Sequence, residues 1–500
     1  MILKNAVMGW TSKAVNFLTA IIATPIFISY LGQSSYGAWL LLMNIWVLMA
    51  LFDMGVFLAF TRFIAHDLAN DDRQAALATA ANSFSLYLLL SLAVLLAYLG
   101  VAFTAETLLN IPPEMHSAFR WALLPLGLTS ALGLPSRVFE GVLFAREKLY
   151  FISWVNLSFA LARVVITIWF LTLGWGLMGI ALAHSLTTMA EYMLINWAGW
   201  REMPYKGWVR LSWHWPLVKK LATYARDTMF AQFMGRARGQ APSLLLGALA
   251  SPAAVAVFGI GLRLLNHAMD LISALVVSAQ PRFSSLESAG QYETWRAIFL
   301  RTTLYTSFIA AYLCLGILLL SRPFIHLWLG PDFALSAPVA MILAAPMGLL
   351  MSLYPCESVM VSLHAQGKLG WLCLAELALL LALAWFSLAR WGALGAAWSL
   401  ALSLLAFRPW WLSLHVCRRL GIGWVWFWTD TVGKVWLSQA LAGLPLFFLL
   451  GPWTDRSWLH FLSGGLLLSA LSGLLFWLVA LDRTERRFWL AKLRRREAAP

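Results

Sequence analysis

Arg263, Asn266, His267 and Asp270 stand at i, i+3, i+4 and i+7 of one apolar run, a spacing that puts four polar side chains on one face of a helix. The opposite positions are Leu, Ile, Ala and Val, so the stripe reads as the lining of a polar cavity. The alternative is an internal pairing of Arg263 with Asp270 or with backbone that locks helix packing. Upstream, Arg236 and Arg238 are two residues apart and point ~200° apart on a regular helix, so they cannot both face one cavity. Pro242 removes the amide that would bond the Arg238 carbonyl, and Gly235 and Gly239 loosen the same turn. Pro25 does the equivalent at Ile21. The paired breaks read as hinges or as static kinks.

The first half of the chain has weaker counterparts. Lys13 and Asn16 share a helical face, Arg163 lies inside an apolar run, and Asp53 ends another. Glu191 and Glu376 are further acids in apolar surroundings with no obvious partner. An arginine at the centre of a bilayer facing lipid costs at least ~2.5–3.5 kcal/mol. Arg163, Arg236, Arg238 and Arg263 must therefore face water, a partner or a ligand. With His267, Asn266, Lys13 and Asn16 they are the candidate substrate-binding residues, while Asp53, Asp270, Glu191 and Glu376 are candidate ion-coupling acids, for H+ or Na+. The plain alternative for Asp53 and Asp270 is that each pairs with nearby arginines and pins helices.

No catalytic constellation accompanies them. The nine histidines are scattered without metal-ligand spacing, and no Walker loop, dinucleotide fingerprint or nucleophile elbow is present. Four cysteines (Cys314, Cys356, Cys373, Cys417) sit in or beside apolar segments as small hydrophobes. The expectation is a protein that is not an enzyme and that needs no metal or cofactor.

The elements that position these residues follow from composition. Of 500 residues 61% are apolar and only 12% charged, with 28 Trp and 30 Phe and a mean hydropathy of +0.75. A soluble chain carries about 25% charged residues, so these proportions exclude a cytosolic enzyme, a disulfide-stapled secreted domain and a disordered scaffold. The net charge of +14 is not gathered on a soluble module with stacking aromatics, which argues against nucleic acid. About 20 apolar residues cross a bilayer as a helix, and that ruler gives about fourteen spans in an all-α polytopic membrane protein. Most basic residues fall in alternate loops (66–74, 146–148, 201–220, 282–296, Lys368, Arg418–Arg419 and the tail), which predicts both termini in the cytoplasm.

The chain also repeats itself. Pro25 and Pro242, Asp53 and Asp270, and Glu140 and Glu357 are each 217 residues apart, and Trp175-Gly176-Leu177-Met178-Gly179-Ile180-Ala181 recurs 216 residues on as Trp391-Gly392-Ala393-Leu394-Gly395-Ala396-Ala397. The expected organisation is an N-terminal lobe at 1–200 (spans 1–6), a cytoplasmic linker at 201–220 and a C-terminal lobe at 221–415 (spans 7–12). Spans 13–14 at 435–481 and a basic cytoplasmic tail at 482–500 follow. Units with an even number of spans enter the membrane in the same sense, a parallel repeat found in transporters.

Specific stretches carry a family likeness. Thr24-Pro25-Ile26-Phe27-Ile28-Ser29-Tyr30-Leu31-Gly32-Gln33-Ser34-Ser35-Tyr36-Gly37-Ala38-Trp39 and Leu51-Phe52-Asp53-Met54-Gly55-Val56, with Val257-Phe258-Gly259-Ile260-Gly261-Leu262-Arg263-Leu264 and Gln280-Pro281-Arg282-Phe283 in the second half, resemble Wzx-type oligosaccharide flippases. These belong to the multidrug/oligosaccharidyl-lipid/polysaccharide (MOP) exporter superfamily. The resemblance implies a multi-pass protein of the bacterial inner membrane that turns a polyprenyl-pyrophosphate-linked oligosaccharide from the cytoplasmic to the periplasmic leaflet by alternating access. The glycan would serve O-antigen, capsule or exopolysaccharide synthesis. Arginine suits the pyrophosphate, because its planar donors match phosphate oxygens. The implied partners are membrane lipids, a polysaccharide polymerase and assembly proteins, with the flippase itself a monomer. A drug-cation antiporter of the same superfamily would favour acids over arginines in its cavity. A membrane glycan polymerase or ligase would carry a sizeable outer loop, which the sequence lacks.

Overall fold

The computed structural model describes residues 2–53, 55–203, 211–454, 457–483 and 485–487. The basic tail beyond 487 and residues 204–210 of the expected linker therefore lie outside the described residues. Among the described residues regular structure is helical throughout, without a strand, as the apolar runs demand. Among the described residues nine helices are long and apolar enough to cross a membrane, against the fourteen spans expected. Part of the difference is that two pairs of expected spans are merged across a glycine. Large apolar side chains such as Phe103, Trp385, Phe386 and Leu466 lie on the surface, as a lipid-facing exterior requires.

The first compact unit is Met1–Ala256. It contains α1 (Ile2–Met49), α2 (Val56–Ala69), α3 (Arg73–Leu108), α4 (Pro113–Ala145), α5 (Leu149–Thr172), α6 (Gly176–Glu202) and α7 (Trp215–Leu249). α1 turns at Gly32, whose φ of 72° lies in the region that favours glycine. The Asp72 side chain caps α3 by accepting from the Ala75 amide at 2.9 Å, and Pro113 opens α4, where its missing N–H costs nothing. α4 is central: α1, α2, α3, α5 and α6 all pack on it. α7 packs on α1, α2 and α3, so this unit extends past residue 200 and takes in the helix that the sequence reading assigned to the C-terminal lobe.

The second unit is Val257–Pro500. It holds most of α8 (Pro252–Ser288), then α9 (Tyr292–Leu329), α10 (Ser336–Ser352), α11 (Tyr354–Ser362), α12 (Gln366–Arg419), the short α13 (Trp424–Trp426) with a π-turn at Phe427–Gly433, α14 (Lys434–Thr454) and α15 (Trp458–Leu475). α12 folds back on itself at Gly392 (φ 50°). Ser387 Oγ bonds the Gly395 carbonyl at 3.1 Å and Ser399 Oγ at 2.7 Å across this turn. Gly176, the first glycine of the related motif between α5 and α6, has nearly the same φ of 49°. One core region packs Phe283, Trp295, Phe299, Met360, Val416 and Phe427, and another holds α14 and α15 on α9 through Leu315, Leu446 and Leu468.

Proline kinks in both units are pinned by side chains. Pro135 in α4 cannot bond the Ala131 carbonyl, and Ser91 of α3 donates to that oxygen at 2.7 Å. Pro409 in α12 likewise releases the Leu405 carbonyl, and the neighbouring Trp410 indole donates to it at 2.9 Å. Each of these prolines lies within two residues of an arginine that pairs with acids, the half-buried Arg137 and the buried Arg408.

Candidate functional site

In the first unit, intramembrane charge gathers on the central helix. Arg137 of α4 reaches Asp53, at the end of the 50–53 turn, with Nε at 2.7 Å from a carboxylate oxygen. Its other arm meets Glu140 one turn on at 2.5 Å, and its guanidinium lies over the Phe57 ring at 5.5 Å. Tyr87 of α3 donates its hydroxyl to Asp53 at 2.7 Å. Asp53 is thus a buried acid pinned from two helices. That fits the plain alternative for this residue, pairing with an arginine that pins the helices.

Beside this triad, Arg163 of α5 donates to Thr187 Oγ1 at 3.0 Å and Thr188 Oγ1 at 3.2 Å, and its outer nitrogen stands 3.5 Å from Glu191 of α6. Asn156, with its amide nitrogen turned toward acceptors, donates to Glu191 at 2.6 Å. Glu191 therefore has partners that the sequence did not reveal. It lies within electrostatic reach of Arg137 and Glu140, and Arg163 within reach of His184. His184 in turn presents its ring to the edges of Trp39 and Trp46. Tyr192 packs its hydroxyl against Gly133 of α4, where a Cβ would stand 2.5 Å from the oxygen. The close approach requires glycine.

α7 supplies the cations. Arg236 is exposed, lies within electrostatic reach of Asp53 and Arg137, and among the described residues meets no carboxylate at ion-pair distance. Arg238 is half-buried, so the two arginines differ in setting, as a two-residue spacing on a helix requires. α7 runs unbroken through Gly235, Gly239 and Pro242, and α1 runs through Pro25. In α1, Asn16 is exposed, while the Lys13 side chain lies outside the described ones.

The stripe on α8 is the accessible face of its helix. Asn266 and Asp270 are exposed and Arg263 and His267 half-buried, whereas Leu265, Ala268 and Ile272 on other faces are buried. Arg263 and His267 are one turn apart and within electrostatic reach of each other.

The second unit hides its own charged cluster. Arg408 of α12 grips Glu376 with two bonds, Nε at 2.8 Å and a terminal nitrogen at 2.9 Å. It also donates to Glu357 of α11 and, at 3.1 Å, to Cys373 Sγ. Glu376 is fully buried and the Arg408 side chain 5% exposed. Sequence reasoning found Glu376 but neither of the arginines, Arg137 and Arg408, that hold the acids. One signal was available: Glu191 and Arg408 are 217 residues apart, the shift that relates Glu140 to Glu357. Among the described residues no group of His, Cys, Asp and Glu is placed to hold a metal.

Comparison with known proteins gives this arrangement a setting. The chain matches the family described as polysaccharide biosynthesis protein over residues 2–287. It is 23% identical over 429 residues to the uncharacterized membrane protein EpsK of Bacillus subtilis (strain 168), covering 82% of each chain. Its fold resembles that of the lipid II flippase MurJ in an inward closed conformation, with a TM-score of 0.69 at 12% identity over 95% of this chain and 99% of that one. An inward-facing multidrug resistance MATE family transporter of the MOP superfamily gives 0.66 at 14% identity over 83% and 99%. The chain therefore shares its fold with a lipid flippase and a multidrug transporter. With the match running through more than half of its length, this multi-pass membrane chain belongs to the polysaccharide biosynthesis protein family.

Proposed function

We propose that the chain flips a polyprenyl-pyrophosphate-linked oligosaccharide from the cytoplasmic to the periplasmic leaflet of the bacterial inner membrane, by alternating access, for O-antigen, capsule or exopolysaccharide synthesis. One observation carries the choice of an anionic cargo. The acids Asp53, Glu191 and Glu376 are each engaged by an arginine, while Arg236 is exposed on α7 with no described carboxylate at ion-pair distance. A carrier of drug cations needs the reverse in the first unit, an exposed acid and neutralised arginines; the exposed acid Asp270 lies in the second unit and is assigned below to ion coupling. The planar guanidinium of Arg236 presents paired donors that fit two phosphate oxygens. Within the first unit Arg238, Lys13, Asn16 and Arg163, and within the second Arg263, Asn266 and His267 on the accessible face of α8, are the further proposed cargo-binding residues.

Coupling to H+ or Na+ would use acids, because a carboxylate changes charge by binding either ion and so biases which way a cavity opens. Asp270 is the exposed member of the four candidates and Asp53, Glu191 and Glu376 are already held by arginines. In the proposed mechanism Asp270 answers to the gradient first. Polymerase and assembly proteins remain proposed partners of the transported glycan's pathway. Complementation tests this reading. A strain lacking its flippase should regain surface glycan with the wild-type chain and not with Arg263→Ala at equal protein level, and Arg263→Lys should restore only part. Full surface glycan in the alanine variant would overturn the anion-site assignment.

A further inference from the structure

At one end of the second unit, two cations, Lys368 and Arg418, converge on a histidine, and among the described residues no acid joins them. The fold of α12 at Gly392 brings its first and last turns side by side, so that Lys368 Nζ stands 3.5 Å from His415 Nε2. Arg418, one turn beyond His415, lies within its electrostatic reach, and both groups acting on that histidine are cations. Among the described residues neither Lys368, His415, Arg418 nor Arg419 meets a carboxylate at ion-pair distance, and Lys368, Arg418 and Arg419 are exposed. Some other cations of the chain are paired with acids: Lys148 with Glu202, Arg301 with Glu485, Lys434 with Asp430.

Helix electrostatics explain only part of this. Arg418 and Arg419 suit the C-terminal turn of α12, but Lys368 sits in its first turn, where a cation opposes the helix dipole. Its neighbour is a histidine and an arginine instead of a compensating acid, an arrangement that an added anion would stabilise.

The surroundings select the kind of anion. The Trp411 indole stacks on His415 with ring centroids 5.4 Å apart and planes 11° from parallel. Trp410 adjoins it, packed at 6.3 Å from Trp424 and 5.8 Å from Trp428. The Trp424 and Trp428 indoles are fixed by donating to Ser413 Oγ at 2.9 and 3.1 Å, while Trp410, Val425 and Trp426 stay exposed. A cationic notch against a rigid, exposed apolar shelf matches a ligand with a phosphate head and hydrocarbon tails.

We propose that Lys368, His415 and Arg418, with Trp411 as their wall, form a binding site for the phosphate headgroup of an anionic membrane lipid. The Trp410–Trp426 shelf takes the upper part of the acyl chains. The site is separate from the cargo-binding residues and does not rest on the cargo assignment.

The test uses the full-length protein in a neutral detergent, with thermal unfolding and native mass spectrometry as readouts. Phosphatidylglycerol should raise the unfolding midpoint of the wild type and give a retained lipid adduct, whereas phosphatidylcholine should do neither. In Lys368→Gln/Arg418→Gln the midpoint without lipid should be unchanged and the apparent affinity for phosphatidylglycerol should fall about tenfold, the loss of about 1.4 kcal/mol. Lys148→Gln, which removes a paired cation, should bind lipid as the wild type does. If the double variant destabilises the protein, Lys368→Gln alone is read by adduct abundance on the folded fraction. Undiminished phosphatidylglycerol binding in these variants would overturn the proposal. Equal stabilisation by inorganic phosphate through the same residues would also overturn it, since the site would then recognise phosphate without a lipid.

Discussion

The two units treat the same electrostatic problem differently. In the first, Arg163 of α5 faces Glu191 of α6. In the second, Glu376 and Arg408 stand on the two arms of α12, with the charges exchanged. The first pair is loose: a single 3.5 Å approach, side chains 30% and 16% exposed, and threonine hydroxyls sharing the guanidinium. The second is bidentate, sealed and joined by Glu357. A buried pair is costly to break yet contributes little net stability against an apolar replacement. A looser pair costs less to rearrange. The second pair is therefore a closed frame within its unit, whereas the charges of the first stay partly accessible.

The largest expected effect breaks the frame. Arg408→Ala leaves Glu376 buried and unpaired, a loss of about 3–5 kcal/mol, comparable to a domain's whole margin. Folded protein in the membrane, followed by fluorescence-detection size-exclusion chromatography, should nearly vanish. The double change Arg408→Met/Glu376→Leu should recover much of it. In the first unit, Asp53→Ala should cost less, about 1–3 kcal/mol, because Arg137 keeps Glu140 while Tyr87 loses an acceptor. Arg163→Ala should be milder still, about 1 kcal/mol in the unfolding midpoint in detergent, since the pair is partly accessible. If Arg163→Ala proved as damaging as Arg408→Ala, the contrast between the units would be lost. The smallest effects sharpen it: Ser91→Ala and Trp410→Phe each uncap one proline-released carbonyl and should each cost about 0.5–1 kcal/mol, alike in the two units.

The sequence displayed the helices and the accessible stripe well, because both are local. Apolar runs of membrane length and an i, i+3, i+4, i+7 pattern need no knowledge of neighbours, and α8 presents Asn266 and Asp270 outward as that pattern requires. The partners of the acids were not legible, because pairing depends on which helices touch. Asp53 meets an arginine from α4 and a tyrosine from α3, and Glu376 meets an arginine that follows a hairpin at Gly392. Arg408 sits in an apolar run beside Pro409, 32 residues along the chain from the acid that it meets once the helix is folded back. The extent of the first unit was hidden for the same reason: the charged stretch before α7 resembles a linker between lobes, yet α7 packs on α1, α2 and α3. The proposed correspondence of the two halves rests on residues that recur at a constant shift and on the shared left-handed glycines 176 and 392.

The central claim is that the exposed intramembrane group serving the cargo is a cation. The direct measurement is flipping of a fluorescent polyprenyl-pyrophosphate oligosaccharide in proteoliposomes by wild type, Arg236→Lys and Arg236→Ala, alongside efflux of a lipophilic drug cation. The account predicts flipping by the wild type, partial flipping by the lysine variant, at least about a tenfold loss in the alanine variant, equivalent to about 1.4 kcal/mol, and unchanged unfolding midpoints. Wild-type flipping by Arg236→Ala, or drug-cation efflux in place of glycan flipping, would contradict it.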